Sequence, residues 1–326
     1  MRSSSSRTCS GRITAPSTWH GRSATTAGGS GASAPARAER SPRVTDPAAR
    51  PASRWPDLRK RALSAMLLGP AALLCIWLGA EAWTALMAAA VALLAWEWVR
   101  LCGFSTKRPP GLAVPVAVLL AGVLAVGGAW NWAFAVLGFG FLGLWAVAEP
   151  PRFRRAVPGF WLAFGVIYIG LAGVSLIHLR GDAVAGLRNV IFLFLIVWSS
   201  DIGAYAAGRA FGGPKLAPAI SPNKTWSGAM GGLVSAMAVG VLSAYVMEPA
   251  TAPLPRVLVI AAILSMLSQA GDLFESWIKR RFNVKDSSRL IPGHGGLLDR
   301  LDGVISAAPA AALLGVLLGP GEALWR

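Results

Sequence analysis

From residue 62 onward the chain is a succession of apolar runs separated by short polar or Gly/Pro-rich breaks. The runs fall at 62–80, 82–99, 112–129, 131–148, 159–179, 189–209, 228–247, 256–278 and 303–319, each about 17–23 residues long. A helix of roughly 20 apolar residues crosses a hydrocarbon core about 30 Å thick. The pattern therefore predicts an all-α, polytopic integral membrane protein with about nine transmembrane helices. Only Glu81 and its neighbours part the first two runs, so these form either a hairpin pair or a less regular entry into the membrane. Three parts are expected: residues 1–54 as a tail, 55–158 with about four spans, and 159–326 with about five spans and the most polar loops.

Composition agrees. Of the 326 residues 54% are hydrophobic and 14% charged, against about 25% charged in a soluble domain. The mean hydropathy is +0.54. Residues 1–54 depart from this pattern, being rich in Ser, Ala, Arg, Thr, Gly and Pro. Such a segment buries too little apolar surface to offset its ordering entropy and reads as a disordered basic tail. It lacks the apolar stretch of a signal peptide. Its Arg/Ser-rich, acid-poor make-up resembles a transit peptide; the plainer alternatives are a loose basic tail or a start codon placed too early. Cys9, Cys75 and Cys102 show neither pairing pattern nor metal spacing.

Charge sets an orientation. With nine spans and the tail inside, the inside segments carry 27 of the 31 Lys/Arg, and the outside keeps Arg180, Arg188, Arg256 and Arg326. This asymmetry follows the positive-inside rule. It places the N-terminus and the two most polar loops, 209–227 and 279–302, on the cytoplasmic side of the cell (inner) membrane.

Acids inside the apolar runs are the first candidates for chemistry. A carboxylate at the centre of a membrane helix costs at least about 2.5–3.5 kcal/mol on insertion scales, so it normally faces water, a cation or a partner. Asp272, Glu275, Ser276 and Lys279 share a helix face by their i, i+3, i+4, i+7 spacing. Asp201 and Tyr205 are i, i+4. The plain reading pairs Glu275 with Lys279 and lets Asp201 cap or pair locally. Asp272 lies a turn deeper, with no Lys or Arg within one turn. Glu97, between Trp96 and Trp98, reads as structural. Asp299 and Asp302 open the last run on one face; helix capping explains one of them, since acids oppose the positive end of the helix dipole. The pair also suits Mg²⁺, which favours one or two carboxylates together with substrate phosphates. Arg300 between them balances charge or reaches a phosphate.

The loop IPGHGGLLDR precedes these acids. Gly293, Gly295 and Gly296 free the backbone for close approach to a ligand, and consecutive N–H groups can cradle a phosphate. His294 is a candidate phosphate or metal contact. Lys279, Arg280, Arg281, Lys285 and Arg289 suit a polyphosphate or lipid headgroup, or serve simply as juxtamembrane positive charge. In the other loop Lys224 and Thr225 sit at the start of the next run, where anions bind well. The Gly-x4-Gly-Lys spacing of a P-loop is absent. Carboxylates, basic groups and glycine-rich loops on one membrane face suggest phosphoryl or nucleotidyl transfer by direct displacement.

The run Ser276-x-x-Lys279-Arg280-x4-Lys285-Asp286, then Pro292-x-His294-Gly295-Gly296-x-x-Asp299-Arg300-x-Asp302, resembles the signature of the phosphatidate cytidylyltransferases, or CDP-diacylglycerol synthases. The stretches SSDIGAYAAGRAFG and SPNKTWSG are similar to that family too, although relatives often carry an acid in place of Ser227. The likeness covers roughly 62–319 and leaves residues 1–54 out. It implies attack of a phosphatidate oxygen on the α-phosphorus of CTP. It further implies Mg²⁺, with a monovalent cation such as K⁺ as an option, and a homodimer in the membrane lipid; no nucleic-acid partner is expected. By the same likeness Asp272 and Asp299 are metal ligands, Asp302 and Asp286 lie close by, and Asp201 lines a cytoplasm-facing polar cavity. Lys224, Lys279, Arg280, Lys285, His294 and Arg300 contact phosphates.

Two rivals fit less well. DRLDG shares the opening of the CDP-alcohol phosphotransferase motif but continues Val304-Ile305-Ser306, without its later paired acids. A transporter would place acids near the midplane in both halves of an internal repeat, whereas here the polar groups gather at one face.

Overall fold

The structure is a computed structural model, and residues 66, 69–148, 158–248, 253–288, 290–291 and 295–326 are described. The tail expected at 1–54 lies outside them. The elements are α1 (Gly69–Leu78), α2 (Ala80–Leu101), α3 (Ala113–Val126), α4 (Trp130–Ala148), α5 (Pro158–Gly181), α6 (Gly186–Phe211), β1 (Lys215–Ala217), β2 (Ser221–Thr225), α7 (Trp226–Met247), α8 (Leu254–Arg281) and α9 (Leu298–Leu318). Each apolar run thus has a helix within it. Seven of these helices, α2 and α4 to α9, are long and apolar enough to cross a membrane. The protein is an all-α, multi-pass membrane protein.

Glycines bound α1 and α3, and α3 is shorter than its run predicts. Of 62–80, the described part of α1 is Gly69–Leu78, and Gly79 with φ 62° separates it from α2. Helix α3 has 14 residues, about 21 Å at 1.5 Å per residue. The segment Pro109-Pro110-Gly111 precedes it and Gly127-Gly128 closes it.

The ends of the other helices have local causes. Thr225 is extended, and its hydroxyl accepts the Gly228 N–H at 3.1 Å, an N-cap for α7. Proline in the first turn of α8 is pre-set for a helix start. Gly212, with φ 60°, ends α6.

The expected boundary at 158/159 falls at the start of α5. This helix packs on α2, α3 and α4 from one half and on α6 and α9 from the other. The Trp98 indole of α2, fully buried, donates to the Trp161 carbonyl of α5 at 2.7 Å. Tyr168 of α5 stacks edge-on against Phe274 of α8 with ring centroids 5.3 Å apart. Aromatic contacts therefore hold one side of α8.

On another side of α8 the contact with α9 depends on two glycines beside two acids. A Cβ on Gly271 would strike the Ser306 side chain and sit 2.7 Å from the Asp302 carbonyl. A Cβ on Gly303 would strike Ser268. Small residues let membrane helices approach at backbone distance, and here they bring Asp272 of α8 alongside Asp302 of α9.

The other end of the bundle gathers the end of α5, the start of α6, the end of α7 and the C-terminal segment. Glu248 pairs with Arg188 and, at 2.9 Å, with Arg326. Asp182 accepts the N–H groups of Val184, Ala185 and Gly321 at 2.9, 2.7 and 2.6 Å. Asn189 receives the Leu324 N–H at 2.8 Å and donates to the Glu322 carbonyl at 3.2 Å. Trp325 is fully buried against Phe192.

Candidate active site

Between α6 and α7 the chain makes a two-stranded antiparallel hairpin, with Lys215 opposite Thr225 and Ala217 opposite Ser221. Its turn is tied to α8 by Arg280, which donates to the Ile220 carbonyl at 3.4 Å. The hairpin delivers Lys224 to Asp272, and the two form an ion pair. Beside them is a cavity of about 610 Å³ lined by Asp201, Tyr205, Arg209, Asn223, Lys224 and Asp272, among others. Arg209 donates to the Tyr205 hydroxyl at 3.1 Å.

The carboxylates of Asp201, Asp272 and Asp302 are close enough for their charges to act on one another. Asp302 takes the Gly303 N–H at 2.8 Å. Lys224 answers Asp272 directly.

Two turns along α8 from Asp272, Lys279 bridges two further acids. Its ammonium is 3.0 Å from Glu275, which is fully buried, and 2.7 Å from Asp299. Asp299 also collects the backbone of the loop. It accepts the Ser287 N–H and hydroxyl at 3.1 Å each and the Gly296 N–H at 3.0 Å. Ile291 and Gly295 exchange N–H bonds at 2.9 and 3.2 Å, and Gly295 takes φ +86°.

Gly296 was expected to admit a ligand. Its pro-Cβ direction instead meets protein: a Cβ there would strike the Ser287 hydroxyl and lie 3.0 Å from Glu97 and 3.1 Å from Asp299. This glycine lets two carboxylates reach the same stretch of backbone. Glu97 of α2, which has no exposed surface, accepts the Leu297 and Leu298 N–H groups at 2.9 and 2.6 Å. It also accepts the Ser288 hydroxyl at 2.5 Å and the Ser287 hydroxyl at 3.3 Å.

The structure brings together Asp201, Lys224, Asp272 and Asp302 as one group, and Glu275, Lys279, Asp299 and Gly296 as a second. Asp272, Glu275 and Lys279 come from α8 and Asp299 and Asp302 from α9, whereas Asp201 comes from α6 and Lys224 from β2. Thr225 lines the cavity, but its hydroxyl already caps α7. Ser276 is half-buried on α8, while Lys285, Asp286 and Arg300 are exposed. His294, Arg289, Pro292 and Gly293 lie outside the described residues.

Sequence reasoning saw the Glu275–Lys279 pair, which is an i, i+4 contact. It gave no sign that Lys224 meets Asp272 or that Glu97 meets the loop. Ser287 and Ser288 were likewise missed, because a serine pair carries no spacing signal of its own.

Among the described residues no cluster of three or more His, Cys, Asp or Glu side chains is arranged to hold a metal ion. The donor set still suits a hard divalent cation. It is all oxygen, and Mg²⁺ is typically held by one or two carboxylates with substrate phosphates completing its shell. Asp272 and Asp302, set on neighbouring helices by the close contact at Gly271, are the oxygen donors such an ion would meet.

Residues 59–318 match the model of the cytidylyltransferase family. A phosphatidate cytidylyltransferase of Brucella abortus is 40% identical over 269 residues, covering 82% of this chain and 97% of its own. The Pseudomonas aeruginosa phosphatidate cytidylyltransferase is 38% identical over 272 residues, covering 79% and 96%. That of Haemophilus influenzae is 32% identical over 280 residues, covering 77% and 96%. With the match running through every helix that builds the two carboxylate groups, the chain belongs to the cytidylyltransferase family and is a nucleotidyltransferase.

Proposed function

We propose that the protein converts CTP and phosphatidate to CDP-diacylglycerol and pyrophosphate. The observation that carries this is the pairing of acids with lysines on the α8–α9 seam, in a chain that matches phosphatidate cytidylyltransferases along most of its length. A phosphate oxygen of the lipid attacks the α-phosphorus of CTP. The bond from that phosphorus to the oxygen bridging to the β-phosphate breaks, and pyrophosphate leaves with the electron pair.

The residues divide the work. Lys224 and Lys279 are paired to carboxylates in this structure, so each is held at the site and can pass its N–H donors to phosphate oxygens. Arg280, Lys285, Arg300 and His294 supply further positive or donor groups to the polyphosphate. Asp201 lines the cavity and keeps it polar. Asp272 would hold Mg²⁺, with Asp302 beside it across the α8–α9 contact; Asp299, the second ligand that the resemblance implies, is engaged here by Lys279, Ser287 and Gly296 and would have to exchange those partners for the ion. That ion would neutralise phosphate charge and orient the α-phosphorus for in-line attack. A monovalent cation such as K⁺ is compatible with the remaining carboxylate charge.

The distribution of Lys and Arg supports an inner-membrane location with the tail and this site facing the cytoplasm. There a lipid headgroup meets a soluble nucleotide. A homodimer is the expected assembly. Purified protein in detergent, given phosphatidate and each of the four nucleoside triphosphates with and without Mg²⁺, tests the reading. Pyrophosphate and CDP-diacylglycerol should appear with CTP and Mg²⁺. Substrate flux across proteoliposomes without pyrophosphate release would point to a transporter instead.

A further inference from the structure

Glu97 lies on α2, 190 residues or more before the loop groups it touches. It is fully buried. A buried carboxylate is tolerated where several donors converge on it, and here three do so outright while the Ser287 hydroxyl, with one proton, is shared with Asp299. Ser287 and Ser288 come from the strand of loop that leaves α8, and Leu297 and Leu298 come from the strand that enters α9.

The loop leaves and returns through this one carboxylate. Asp299 grips the same two strands from the α9 side, through Ser287 and Gly296. The Ser287 hydroxyl lies between the two acids, 3.3 Å from Glu97 and 3.1 Å from Asp299. The N–H groups of Leu297 and Leu298 are among the unpaired donors that every helix start presents. A side chain from another helix therefore caps α9, the helix that carries Asp299, Arg300 and Asp302.

We infer that Glu97 is a positioning residue: by clamping Ser287 and Ser288 on one side and Leu297 and Leu298 on the other it sets the place of Asp299 and Gly296 relative to α8, and so governs turnover of the nucleotide. This rests on the nucleotidyl-transfer reading above. Glutamine at this position keeps the size of the side chain but replaces one acceptor oxygen with a donor, which then faces N–H or O–H groups that can only donate or prefer to donate. Displacing reacting groups by about 1 Å costs on the order of 100-fold in rate.

The experiment compares wild type with Glu97→Gln, Glu97→Asp and Ser288→Ala as purified full-length proteins. Three readings are taken: amide hydrogen exchange of residues 287–298, kcat and KM for CTP, and thermal stability. Expected for Glu97→Gln is faster exchange at Leu297 and Leu298 and a fall in kcat/KM for CTP on the order of 100-fold. KM for phosphatidate should change by less than about threefold, and Glu97→Asp should recover part of the loss. Ser288→Ala, which removes one donor, should give a smaller change in the same direction; it carries the comparison if Glu97→Gln does not fold. Unchanged exchange, or faster exchange with unchanged turnover, would overturn the assignment. A fall in activity that merely follows loss of folded protein, with no recovery in Glu97→Asp, would also overturn it. Absence of CTP turnover in the wild type would remove the reaction, and with it the role assigned to Glu97, while the exchange data would still report the clamp.

Discussion

The two ends of the helix bundle use the same residue types to opposite effect. Both carry a cavity, about 610 Å³ beside Asp201 and Asp272 and about 550 Å³ beside Arg180 and Asp182, so volume does not separate them. Bonding does. At the Asp182 end, Glu248 is set between two arginines, and Asp182 and Asn189 take up backbone groups of the C-terminal segment. Those three acidic or amide side chains are answered from within the chain. At the Asp272 end, Asp272 is paired with Lys224 from the hairpin, and Lys279 is shared between Glu275 and Asp299. Lysines paired to acids beside a polar cavity can be handed to a ligand's phosphates, whereas acids bonded to arginines and backbone serve to hold helices together.

The largest break in this comparison is expected from Asp272→Asn. It removes the carboxylate that pairs with Lys224 and faces Asp302, and turnover in the presence of Mg²⁺ should fall by a factor on the order of 1,000. The protein should still elute as folded material in detergent; wild-type turnover would take Asp272 out of the chemistry. Next comes the other end. Glu248→Ala leaves two arginines without their shared, largely buried acid and should cost about 2–3 kcal/mol of stability, read as a lower melting temperature in detergent. Turnover per folded molecule should stay within about twofold of wild type. A large loss of turnover at unchanged stability would show that the two ends are coupled.

The smallest effect concerns acid sensitivity. Burial works against the charge of Asp182, but the N–H groups of Ala185, Gly321 and Val184 outweigh it and hold this carboxyl below the ordinary range. A carboxyl whose folded pKa is depressed adds stability above its unfolded value, about 3.9. That stability is lost as pH falls through the folded value. Asp182→Asn should therefore lower the melting temperature at neutral pH and flatten its decline below about pH 4. An unchanged slope would remove Asp182 from the acid response.

The helices were legible because lipid leaves little choice: a run of apolar residues long enough to cross must close its own backbone hydrogen bonds. The run at 112–129 misled by a few residues, since Gly127 and Gly128 are apolar enough to extend a hydropathy window yet end the helix. The Glu275–Lys279 pair was legible from helical spacing alone. Lys224 with Asp272 was not, because the β1–β2 hairpin that joins them is built from SPNKT and KLA, segments with little strand signal. Glu97 was read as a structural acid beside two tryptophans. Its reach to Leu297 depends on how α2 packs beside α9, and no local spacing encodes that.

The close contact at Gly271 has a further consequence. There α8 meets the main chain of α9 at the Asp302 carbonyl, so the spacing of Asp272 and Asp302 is tied to a backbone distance rather than to a rotamer. A methyl group at Gly271 would push the two helices apart and would carry the two acids with them.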